Sequence, residues 1–100
     1  MKISILIPIY NRNNFKNLII YNLKNLEYNK NNLELVILDD GTDLFIKNEN
    51  ELNYFKEQIY PIELNYINDK TGRKSIGYKR NKLVKNAKFN ICAYMDSDDL

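Results

Sequence analysis

The sequence is short of several things, and each shortage excludes a class. It holds one cysteine, Cys92, so no disulfide can form within the chain, and a reducing compartment fits. No apolar run approaches the length of a membrane span. Lys2 and the stretch from Ile3 to Ile9 hint at a leader, but the run is short, Pro8 interrupts it and no small-residue cleavage site follows. The expectation is a soluble cytoplasmic protein. There is no excess of one charge either, since the formal net charge is only +2, which excludes a strongly basic protein. Internal repeats and low-complexity segments are also missing. What remains is 100 residues at 44% hydrophobic and 28% charged, the composition of one small globular domain. Asn occurs 17 times, and with Lys, Ile and Tyr it reflects an AT-rich codon bias more than any site.

The hydrophobic pattern alternates between two periods. Ile3 to Tyr10 is rich in Ile and Leu with little alternation, as in a strand buried on both faces of a parallel sheet. Pro8, near its end, must sit where no ladder donor is needed. Phe15, Leu18, Ile19, Leu23 and Leu26 then recur at helical spacing. Leu33 to Leu38 reads as a second strand, Leu44 to Ile59 as a helix through Phe45, Leu52, Phe55 and Ile59, and Ile62 to Ile67 as a third strand. Ile76 to Asn86 is a further helix, with Ile76, Leu83, Val84 and Ala87 along its apolar stripe. That phase puts Arg80 on the stripe and turns it toward the sheet. Ile91 to Met95 is the fourth strand. Strand, helix, strand in this order predicts an α/β three-layer α/β/α sandwich around a Rossmann-like, mostly parallel sheet.

Polar motifs follow three of the four strands directly. Pro8-Ile9-Tyr10-Asn11 ends the first, Asp39-Asp40-Gly41 the second, and Asp96-Ser97-Asp98-Asp99 the fourth. In an open α/β sheet the crevice at the carboxyl ends of the strands is where ligands bind, so all three share one edge. Carboxylates crowded as at Asp96, Asp98 and Asp99 raise one another's pKa unless solvent, a cation or basic groups offset the charge. Their oxygens suit Mg2+ or Mn2+ on a phosphorylated ligand. Tyr10 is suited to stack on a nucleobase, and Asp39 or Asp40 to accept hydrogen bonds from base or ribose. Plain alternatives exist for each: a ring capping the core, a simple Asp-Gly turn, a solvated acidic loop. A different class, nucleic-acid binding, is suggested by eight basic residues and no acidic one between Lys70 and Lys88. Against it, Asp96, Asp98 and Asp99 are expected to face the same edge and repel a phosphate backbone unless metal is bound.

Taken together and in order, these segments resemble the N-terminal half of family 2 glycosyltransferases of the GT-A fold. That family has an apolar strand ending in Pro-x-Tyr-Asn, a strand ending in Asp-Asp-Gly-Ser, a helix bearing Arg-Asn, and an Asp-x-Asp motif. Here they stand as Ile5-Leu6-Ile7-Pro8-Ile9-Tyr10-Asn11, Leu38-Asp39-Asp40-Gly41-Thr42, Lys79-Arg80-Asn81 and Asp96-Ser97-Asp98-Asp99. The resemblance implies a nucleotide-sugar donor, UDP-linked by preference. It places Pro8, Tyr10, Asn11, Asp39, Asp40, Arg80 and Asp96 around that donor, with Tyr10 against the base, Asp40 and Asp39 at base or ribose, and Arg80 on the diphosphate or sugar side. It assigns Asp96 and Asp98 to a divalent cation, Mn2+ or Mg2+. The sequence departs from the pattern at Thr42 for Ser, Lys79 for Ala, Leu83 for Gly and Phe89 for Gly. Family members continue past Asp-x-Asp with an acceptor-binding half that carries the catalytic base. Residues 1–100 are therefore expected to form a single nucleotide-sugar-binding domain without the acceptor half, and no catalytic residue is assigned. The acceptor half is expected to come from missing chain or from a partner, and the exposed apolar edge and face of the sheet make self-association a further expectation. A reduced binding module without chemistry is the alternative.

Overall fold

The computed structural model describes residues 1–95. Four strands form one sheet in the order β3-β2-β1-β4, with every neighbouring pair parallel. They are β1 (Ile3–Ile9), β2 (Leu33–Asp39), β3 (Glu63–Asn68) and β4 (Ile91–Tyr94). The helices are α1 (Lys16–Lys24), α2 (Glu49–Ile59) and α3 (Ile76–Asn86). The expected mostly parallel sheet is thus wholly parallel among the described residues.

Alternation along the strands builds two unequal cores. Ile5, Ile7 and Ile9 of β1, with Leu35 and Ile37 of β2, face α1 and α2, where they meet Ile19, Ile20, Leu23, Phe55 and Ile59. Phe45, fully buried ahead of α2, stacks edge-on against Phe55 with ring centroids 5.4 Å apart. The opposite face has only Leu6, Val36 and Leu38 under Leu83 of α3. Beneath the end of α3 that face becomes polar: the buried hydroxyl of Ser4 donates to Glu34 Oε2 at 2.7 Å and accepts from the Phe89 amide at 3.2 Å. The same Glu34 oxygen accepts from the Lys88 amide at 2.8 Å, which ties the turn before β4 to the two central strands.

Two helices begin later than their apolar patterns indicate. A short 3-10 turn, Asn13–Phe15, precedes α1. The stretch from Leu44 to Lys47 lies outside α2, because Asn48 caps that helix by accepting from the Glu51 amide. The phase of α3 also differs from the expected stripe. Lys79 and Leu83 are its buried residues, whereas Ile76 and Val84 are about half exposed. Arg80, expected to point at the sheet, is exposed, with its guanidinium 5.2 Å from the Tyr94 ring centroid. One residue of helix is 100° of rotation, and the salt bridge of Lys79 selects the rotation seen.

The crossovers reverse at β1. The chain runs from β1 through β2 to β3 with α1 and α2 on one face, then returns over the other face through α3 to β4, on the far side of β1. The carboxyl ends of β1 and β4 therefore flank a topological switch point. Pro8 reinforces the opening there. The β1–β4 pairing ends at Leu6 and Tyr94, and Pro8, the next residue of β1 facing that way, has no N–H to extend the ladder.

Candidate functional site

The site sits on the carboxyl edge of β1 and β2, where the two motif loops lock together. Asn11 has φ +53°, a left-handed conformation that Asn tolerates better than most residues. Its Oδ1 accepts from the amides of Thr42 and Asp43, both at 2.9 Å. Gly41 passes so close that a Cβ there would collide with Asn11 Oδ1 and lie 2.6 Å from Asn11 N. Asn11 and Gly41 are thus matched parts of one loop junction.

Alternation sends the two aspartates at the end of β2 to opposite faces. Asp39 is fully buried on the α1/α2 side, where it accepts from the amides of Gly41 at 3.0 Å and Phe45 at 2.8 Å and from the Tyr66 hydroxyl at 2.6 Å. Burial and the adjacent Asp39 carboxylate push the Tyr66 phenol far above its ordinary value. Asp40 turns to the α3 side, beside the position of Tyr10. One oxygen accepts from the Lys74 amide at 2.6 Å and the other pairs with Lys79 Nζ at 3.3 Å.

The loop after β3 completes the wall. Asp69 accepts from the Thr71 hydroxyl at 2.6 Å and the Thr71 amide at 3.1 Å, and it also meets Tyr78 and Lys82 of α3, each at 3.4 Å. The Thr71 hydroxyl, then its amide and the Lys82 ammonium, hold the Asp69 carboxyl well below the usual range. Pinned in this way, the loop carries Arg73 over Tyr10, guanidinium to ring centroid 4.4 Å. Tyr10 itself is half-buried.

Of the sequence-predicted donor residues, the structure brings Tyr10, Asn11 and Asp40 to one edge, and Pro8 lies just behind them in β1. Asp39 lies at the same strand end with its carboxylate committed to internal donors, and Arg80 stands apart beside Tyr94. Asp96 and Asp98, expected to hold the cation, lie outside the described residues, as do Ser97 and Asp99. Among the described residues no group of three or more His, Cys, Asp or Glu is placed to hold a metal ion. The hard carboxylate oxygens of Asp96 and Asp98 are a donor set whose chemistry suits Mg2+ or Mn2+. Three residues missed from the sequence belong to the site: Lys79, Arg73 and Asp69. Their pattern offered one signal, Lys79 standing four residues before Leu83 and so on the same helix face.

The sequence profile described as Glycosyl transferase family 2 matches residues 4–100. The chain belongs to this family. Solved structures similar to this family 2 chain include a mannosyltransferase, PcManGT from Pyrobaculum calidifontis, in complex with GDP-Man and Mn2+. It superposes at TM-score 0.81 with 20% identity, over 97% of this chain and 27% of its own. S. aureus TarS superposes at TM-score 0.78 with 24% identity, over 98% of this chain and 17% of its own. TarS 1-349 in complex with UDP-GlcNAc does so at 0.74 with 23% identity, over 98% of this chain and 27% of its own. The family 2 chain therefore spans about a quarter or less of these structures, and the likeness establishes its GT-A fold. No curated protein matches it. No described helix is long and apolar enough to cross a membrane.

Proposed function

We propose that residues 1–100 form the donor-binding half of a glycosyltransferase and bind a nucleotide sugar, UDP-linked by preference. The observation that carries this reading is the meeting of Tyr10, Asp40 and Arg73 at the carboxyl edge, beside the switch point between β1 and β4. Tyr10 supplies an aromatic face for the base, and Arg73 a cation near it. Asn11 and Gly41 fix the loops that shape this edge. Asp96 and Asp98, which follow β4 and Met95 in the sequence, would hold a divalent cation. When bound, such a cation neutralises charge on the departing diphosphate. GDP-Man with Mn2+ in PcManGT, and UDP-GlcNAc in TarS, support this class of ligand.

The rival reading as a nucleic-acid binder draws less support. Three of the eight basic residues between Lys70 and Lys88, namely Lys79, Lys82 and Lys88, pair with Asp40, Asp69 and Glu63. Their charge is already offset within the domain.

Calorimetric titration of UDP, GDP and their sugar conjugates, with and without Mn2+, tests the proposal. Metal-dependent binding that is lost in Asp98→Asn is the expected result. Absence of binding by every nucleotide tested overturns it.

A further inference from the structure

The charge pair formed by Asp40 and Lys79 inverts the polarity that the sequence motif suggests. Asp40 is the acidic residue on the α3 side of the edge, yet its side chain has no exposed surface, and both oxygens already have donors. Each oxygen keeps a further lone pair, but with no exposed surface that carboxylate meets a ligand N–H only if the groups packed over it move aside. Lys79 differs on each point. Its side chain keeps 9% exposure, and of the three donors on an ammonium the contact with Asp40 Oδ1 at 3.3 Å takes one. Asp40 in turn fixes the position of that ammonium, since its amide is bonded to Ile9 and its second oxygen to the loop that carries Arg73.

Resting on the donor-site reading above, we propose that Lys79 determines base specificity by donating a hydrogen bond to a ring carbonyl oxygen. The ligand class is a nucleoside diphosphate, free or sugar-linked, whose base presents a keto group beside the Tyr10 ring. Uracil, guanine and hypoxanthine have such an oxygen at the discriminating ring position, where cytosine and adenine have an amino group. An ammonium has donors and no acceptor, so an amino group at that position meets an unmatched donor and a carbonyl meets a partner. A site built to hydrogen-bond one group rejects the analogue that lacks it far better than an apolar pocket rejects a change of size. Asp40 acts here as a positioning residue, through the ammonium.

Two ligand pairs, read in the unaltered chain and in a Lys79 variant, test this. UDP against CDP, and IDP against ADP, exchange a carbonyl for an amino group and, beside it, a ring N–H for an unprotonated ring nitrogen, so the Lys79 variant decides which of the two changes is read. Calorimetry on the 100-residue chain, with Mn2+ present, is expected to favour the keto member of each pair by about tenfold or more. Lys79→Met keeps an unbranched side chain of similar length and removes the donors. It is expected to lower UDP and IDP affinity by about that factor and leave CDP and ADP nearly unchanged, erasing the preference. Equal affinities within both pairs in the unaltered chain overturn the inference, and so does a preference that survives in Lys79→Met. A uniform loss across all four nucleotides in Lys79→Met reduces the residue to a structural pin and also overturns it. Should Lys79→Met fail to fold by circular dichroism, Lys79→Gln takes its place: its amide can present either a donor or an acceptor, so the preference within each pair is expected to shrink, and an undiminished preference overturns the inference. Failure of every nucleotide to bind the unaltered chain removes the donor-site reading itself, an outcome distinct from binding without base preference.

Discussion

The Tyr66 hydroxyl donates a 2.6 Å hydrogen bond to Asp39 Oδ2, and the same oxygen accepts from the Phe45 amide. The first aspartate of the Asp39-Asp40-Gly41 motif is thereby joined to β3 and to the chain entering α2. Its carboxylate organises the loop, while Asp40 pairs with Lys79 on the α3 side.

Tyr66→Phe removes one of three donors to Asp39 and is expected to lower the unfolding free energy by about 1.5 kcal/mol, as for hydrogen bonds to a charged group. The phenol has a raised pKa in the folded state, so its stabilising effect is complete below about pH 10, the ordinary value, and is lost as pH rises above it. Urea unfolding at pH 7 and at successive alkaline values checks both. The variant should show a shallower alkaline decline than the parent.

Asp69 behaves in the opposite sense. Its carboxyl is held below the ordinary value by Thr71 and Lys82, so the stabilisation is complete above about pH 4 and falls away as pH drops through the lowered folded value. Asp69→Asn should be less stable than the parent near neutrality and should converge with it in acid. Thermal midpoints measured from pH 2 to 7 read this, and parallel curves for the two proteins would contradict it.

Gly41→Ala places a methyl group against Asn11 Oδ1 and Asn11 N. The loops on either side are fixed by hydrogen bonds, so the overlap has to be absorbed by moving backbone, at about 1–3 kcal/mol. A lower urea midpoint is expected. Asn11→Gly combined with Gly41→Ala should recover part of the loss, because it removes the side chain that is struck and allows positive φ.

Leu83→Ala tests the thin core beneath α3. Leu83 is fully buried against Leu6, Val36 and Leu38, and Lys79 is the other buried residue of the helix. A loss of about 2–5 kcal/mol is expected. Hydrogen exchange should rise first in α3 and the turn before β4, and later in β1 and β2. Equal acceleration throughout the sheet would show instead that α3 unfolds only with the whole domain.

The order of elements was written in the chain itself. Continuous Ile and Leu runs distinguish strands buried on both faces from helices with a 3.6-residue stripe, and this local pattern suffices to place the four strands and three helices, with Ile76–Asn86 matched at both ends. The segments Pro8-Ile9-Tyr10-Asn11 and Asp39-Asp40-Gly41 were equally legible, because loops after parallel strands must gather at one edge. Helix starts were less so: Leu44, Phe45 and Ile46 look helical by composition, but Asp39 captures the Phe45 amide and Asn48 caps the helix after them.

Tertiary structure decided which side chains are free to act. Local spacing allows either Arg80 or Lys79 to face the sheet, since they differ by one step of helical rotation. The choice was made by Asp40, 39 residues away, whose buried carboxylate needs a counter-charge. In the same way two adjacent aspartates, equal in sequence, became a structural anchor and one half of a buried ion pair. The pleat turned one toward Tyr66 and the other toward α3, and only long-range partners give the two faces different chemistry.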